Sequence, residues 1–97
     1  MRVRVTAMRR SGRRFRDRDQ QSVRGELRLH SIMRESEAYR VAELVAVDIR
    51  GSRTQDALPP LYEPELVAIG NGSLLLRGFE SAHGTGYVQE WHCVIEG

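Results

Sequence analysis

The chain has 97 residues, room for one domain and one core rather than two. With 40% hydrophobic and 29% charged residues it lies outside the compositions of disordered chains, and no apolar run approaches the ~18 residues that span a bilayer. The net charge is only +2, yet all fifteen basic residues are arginine and their placement is lopsided: residues 1 to 34 hold eleven against Asp17, Asp19 and Glu26, a local charge of +8, and the remainder holds four against ten acids, a charge of −6.

"RVRVTAM" alternates cleanly, with Val3, Val5 and Ala7 on one face and Arg2, Arg4 and Thr6 on the other, the period-two pattern of a half-buried strand. An arginine-rich stretch at 9–21 follows, without periodicity, holding Arg9, Arg10, Arg13, Arg14, Arg16 and Arg18 against Asp17 and Asp19. Alternation resumes in "SVRGELRLHSI", where Val23, Leu27 and Leu29 oppose Arg24, Glu26, Arg28 and His30. Two alternating strands around a long polar segment predict a hairpin with an extended tip, one face wet and carrying Arg2, Arg4, Arg24 and Arg28.

Between 33 and 50 two periods compete. Glu, Ala, Met and Arg favour a short helix near 33–40, whereas Val41, Val45, Val47 and Ile49 share a strand face; a turn or short helix followed by a strand at 40–50 is the expected outcome. All three prolines fall in "SRTQDALPPLYEP", which predicts a proline-containing loop or edge crossing at 52–64. In "ELVAIGNGSLLLRGFE", Asn71-Gly72 predicts a type I′ turn and a hairpin with arms at 65–70 and 73–80. The consecutive Leu74, Leu75 and Leu76 put leucine on both faces of that arm, which calls for a central position or for a second subunit, hence a homodimer through the 65–80 hairpin. "YVQEWHCVIE" is the last strand, with Tyr87, Trp91, Cys93 and Ile95 on one face. Residues 1–97 together predict a single mainly β domain, a small antiparallel β-barrel or β-roll of five to six strands, with a turn or one short helix near 33–40.

The chemistry is sparse. No cofactor-binding or nucleophile motif is present, so the expectation is a non-enzymatic protein without cofactor. His30, His83, His92 and Cys93 lack the spacing of a metal site; His92 and Cys93 face opposite sides of a strand, and Cys93 reads as a small buried hydrophobe. A single cysteine excludes an intramolecular disulfide. With no apolar segment after the first arginines, the expectation is a cytoplasmic and, from composition, bacterial protein with no membrane contact.

The uneven charge is the strongest functional signal. Guanidiniums meet phosphates bidentately, so Arg2, Arg4, Arg9, Arg10, Arg13, Arg14, Arg16, Arg18, Arg24 and Arg28 would bind nucleic acid or another polyanion. Phe15, with Tyr39 or Trp91, would stack on bases. The alternative is a homodimerising protein-interaction module with no nucleic-acid role.

Overall fold

The structure, a computed structural model, describes residues 1–11, 14–15, 21–46, 58–82 and 87–96. Seven strands appear in chain order: β1 (Arg2–Ser11), β2 (Arg14–Phe15), β3 (Gln21–Arg34), β4 (Glu37–Ala46), β5 (Leu61–Gly70), β6 (Ser73–Phe79) and β7 (Val88–Ile95). Each of β1, β3, β4, β5, β6 and β7 pairs antiparallel with the next, and β7 returns to β1 from Val3↔Ile95 to Arg10↔Val88. The result is a closed six-stranded barrel, with β2 a two-residue addition on the end of β1. Closure matters in so small a chain, because an open sheet would present two bare edges.

Alternation fills the interior as the sequence implies. Val3, Val5 and Ala7 of β1 meet Leu27 of β3, Ala42 and Leu44 of β4, Leu61 of β5, Leu76 of β6, and Trp91 and Cys93 of β7, while Leu58 enters from the approach to β5. Two glycines serve the backbone itself. A Cβ on Gly25, in the middle of β3, would lie 2.4 Å from the Val45 carbonyl oxygen, so the strand can approach its neighbour there only without a side chain. Gly72 takes φ 72° in the β5–β6 turn.

The described residues contain no helix: of the turn or short helix expected ahead of a strand, the structure has the turn, and the strand follows as β4. Residues 33–34 end β3 and residues 37–40 begin β4. Between them Glu35 (φ 50°) and Ser36 (φ 68°) both lie in the left-handed region, the pattern of a type I′ turn. The ten-pair ladder from Gly25↔Ala46 to Arg34↔Glu37 holds that turn in place. At Asn71-Gly72 the hairpin is present, but only Gly72 has positive φ, so the turn is not the expected type I′ pair. The proline loop also ends sooner than expected, since β5 starts at Leu61 and includes Pro64.

Pro64 and its neighbour explain how β5 sits in the wall. β4 and β5 share only two residue pairs, Ala42↔Leu61 and Val41↔Tyr62. Glu63 then turns to φ 50°, Pro64 offers no N–H, and the pairing of β5 with β6 shifts between Tyr62 and Glu65 and again between Leu66 and Ala68. From Glu63 onward β5 therefore leaves β4. Both faces of the narrow seam are clamped: Ala42 and Leu61 lie in the interior, and on the opposite face Val41, Tyr62 and Tyr39 form a second apolar cluster with Ile32, Phe79 and Ala82. The Tyr39 and Tyr62 rings meet edge to face at 6.2 Å, and the Arg34 guanidinium lies over Tyr62.

Candidate functional site

The outer face of β1 and β3 collects four of the arginines. Register places Arg2 opposite Glu26, Arg4 opposite Arg24 and Thr6 opposite Ser22, with Arg28 one step further along β3. Two positive charges directly across a ladder repel. Glu96 relieves the repulsion: its Oε1 lies 3.7 Å from Arg4 Nε and 3.1 Å from Arg24 Nε, and its backbone N–H donates to the Arg2 carbonyl at 2.9 Å. Arg28 Nη2 lies 3.9 Å from Glu26. Arg2 has no carboxylate within ion-pair distance among the described residues. Three of the four guanidiniums thus share two carboxylates, Glu96 and Glu26. Glu96 escaped the sequence reading because nothing local ties it to residues seventy and more positions earlier.

Arg9 does not join this face. It shares the inward side of β1 with Val5 and Ala7, and its Nε donates to Glu80 Oε1 at 2.7 Å while its guanidinium lies 4.9 Å from the Tyr87 ring centre. The same Glu80 oxygen accepts from Gln89 Nε2 at 2.5 Å, and Gln89 Oε1 accepts from the Trp91 indole N–H at 3.0 Å. The chain Arg9–Glu80–Gln89–Trp91 thereby closes one end of the interior and satisfies its only tryptophan. Trp91 is completely buried and Tyr39 lies in the second cluster, so neither is free to stack on a base, contrary to expectation. Arg10, Arg14 and Phe15 are strand positions in β1 and β2, paired as Arg10↔Phe15 and Ser11↔Arg14. Arg13, Arg16 and Arg18 lie outside the described residues, as do residues 52–57 of the expected 52–64 loop.

The remaining chemistry-bearing side chains are dispersed. His30 Nε2 and Glu43 Oε2 are 2.7 Å apart on the outer face, beside a cleft of about 280 Å³ lined by Leu29, Ser31, Arg40 and Pro64. Ser31 points to the opposite side of β3 from His30, so the two form no nucleophile–base pair. No group of three metal-ligating side chains comes together among the described residues, and these include no helix long and apolar enough to cross a membrane.

Cys93 occupies the core beside Trp91, as its position in β7 predicts, and burial pushes its thiol up to about 11. The hydrogen bond to Glu37, with burial and nearby carboxylates, pushes Tyr39 up to about 12. Both groups therefore hold their protons more tightly when folded than when unfolded. Stability from this source is complete below pH 9 and falls as pH rises through 9 to 11 for Cys93 and through 10 to 12 for Tyr39. Urea midpoints measured along that alkaline range should decline, and the Cys93 thiol should resist alkylation at pH 8 until denaturant is added. Rapid labelling of the native protein would contradict its burial.

The second surface lies on the β5–β6 hairpin. Leu74 and Leu76 face the interior and Leu75 the outside; at the hairpin end an open, mainly apolar groove of about 460 Å³ takes in both sides, lined by the inward pair Ile69 and Leu74 and by Met8, Ala68, Leu75 and His92. Beyond Tyr62, β5 has no ladder partner on its β4 side among the described residues, and Leu66, Val67 and Ile69 are exposed. Comparison of the chain with protein-family models, with curated proteins and with solved structures finds no match in any of the three, so the two surfaces themselves carry the functional argument.

Proposed function

We propose that the barrel is a non-enzymatic assembly module that homodimerises through the β5–β6 hairpin. The supporting observation is the bare edge of β5 between Glu63 and Gly70 with three exposed apolar side chains on it. Unpaired edges with apolar residues are pairing sites that folded proteins ordinarily blunt with lysine, proline or a covering loop. Among the described residues, Glu63, Pro64, Glu65 and the first shift in pairing blunt the start of this edge and a second shift follows Leu66, while residues 68–70 carry neither charge nor proline. Light scattering across a concentration series tests the reading: the mass should approach twice 11.1 kDa and should stay there in high salt, which screens charge pairing and leaves apolar contacts intact. A mass of 11.1 kDa at every concentration would remove it.

A second reading, binding of nucleic acid or another polyanion, is favoured by Arg4 and Arg24, which face each other across the ladder with one carboxylate between them, and by the unengaged Arg2. An arrangement that costs stability at an exposed position is compatible with a ligand that supplies the missing negative charge. Three phosphate contacts would lower affinity on the order of 10- to 100-fold between 50 and 200 mM salt. Glu96→Gln should strengthen binding by freeing two guanidiniums, and joint replacement of Arg2, Arg4 and Arg24 by serine should abolish the salt slope. Affinity for single-stranded DNA that ignores both changes would reject this face.

A further inference from the structure

We infer that β5 pairs antiparallel with β5 of a second copy, on a two-fold axis that passes Ile69. This rests on the assembly reading and adds to it the strand, the direction and the register.

The argument begins with which side chains are bare. Cross-strand neighbours share a face, so Leu66 opposite Leu76 and Ile69 opposite Leu74 belong to the inward side of the barrel. By the same rule Leu29, opposite the buried Ala42, is inward, and Met33 follows it two steps on either side of Ser31. Yet Leu29 is 62% exposed, Met33 67%, Leu66 53% and Ile69 75%. The inward side thus continues past the seam onto the β3–β4 and β5–β6 hairpins, with no described segment laid across it. A missing strand would account for this pattern; scattered surface leucines would not face one side.

The choice of occupant follows from charge and register. Residues 66–70 of β5 are Leu, Val, Ala, Ile and Gly, without a single charge, so this stretch offers nothing to a polyanion. It meets its own copy without repulsion. Identical antiparallel strands related by a two-fold axis place one residue against itself, and the contact is isologous. With Ile69 on the axis, Ala68 faces Gly70 of the second copy, and the shifted pairing between Leu66 and Ala68 lies outside the centre of the new ladder. Glu63 and Glu65 of the two copies stay at opposite ends of it. The most exposed apolar residue of the hairpin is then buried by its equivalent. Sheet extension by main-chain bonds with apolar side-chain cover is a recurrent mode of strand recognition.

The test uses the whole chain. Ile69→Arg should return the mass from twice 11.1 kDa to 11.1 kDa, because the axis would bring two arginines face to face, with far-ultraviolet circular dichroism unchanged and a thermal midpoint that no longer depends on concentration. Ile69→Cys should give a covalent dimer under mild oxidation, since directly opposed residues of an antiparallel pair fall within disulfide reach and Cys93 is buried. A dimer that survives Ile69→Arg and forms no covalent link at 69 would overturn the β5 register and leave assembly standing. A wild-type monomer would overturn both.

Discussion

Replacing Trp91 by alanine is expected to destabilise the barrel by about 3–5 kcal/mol, a large share of the roughly 5–15 kcal/mol that holds a domain folded. The indole is fully buried, opposite Ala7 on β1 and Leu76 on β6, and so fills the interior where three strands meet. A cavity of that size cannot be refilled by Ala7, Ala42 or Cys93. Its loss also strips the donor from Gln89, whose amide would then hold only Glu80. The two contributions can be separated. Trp91→Phe keeps most of the apolar volume and removes the N–H, so it should cost about 1–3 kcal/mol, the penalty for a buried acceptor left without a partner. Urea unfolding followed by circular dichroism measures both, and at about 4–8 °C per kcal/mol the alanine variant should melt at least roughly 12 °C lower. An alanine variant within a few degrees of the wild type would mean that Trp91 is not central to the core.

The second large effect is expected at Gly25. Alanine there places a Cβ 2.4 Å from the Val45 carbonyl oxygen and 3.0 Å from Leu44 Cγ. The oxygen belongs to the paired strand and cannot swing aside as a side-chain tip would. Either the β3–β4 ladder opens at this point or Leu44, itself fully buried, leaves its position. Overpacking of this kind costs about 1–3 kcal/mol, against which the usual entropic gain from glycine to alanine, about 0.4–1 kcal/mol, is small. The midpoint in urea should fall with no change in slope. A neutral or stabilising Gly25→Ala would show that the two strands are further apart than the structure has them.

The parts of the fold that were legible in the sequence are those where one face alone is buried. Arg2–Ala7 and Val23–Leu27 alternate because their outer sides meet water, and the same is true of Trp91 to Cys93. Residues 38–44 were ambiguous between strand and helix for a physical reason: Ala42 and Leu44 enter the interior while Tyr39 and Val41 enter the outer cluster, so both faces are apolar and period two is blurred. The turn before them is made by Glu35 and Ser36, residues with no strong turn preference, which take left-handed conformations only because a long ladder holds them there. Pro64 signalled an edge correctly but not that a strand could pass through it once β4 had been left behind. At the candidate surfaces, the shared wet face of Arg2, Arg4, Arg24 and Arg28 was visible from alternation. Their carboxylates were not, and neither was the tie between Arg9 and Glu80, because such partners are joined only by the closing of the ring.

That closing has an unequal consequence. Five of the six joints around the ring are long zippers, and the sixth, between β4 and β5, is a clasp two residues wide. Strain applied to the molecule is relieved first where the fewest main-chain bonds must yield, so the clasp sets where the wall parts. Once it is released the ring becomes a curved ribbon with its order of strands intact, and it can shut again without re-sorting a single neighbour.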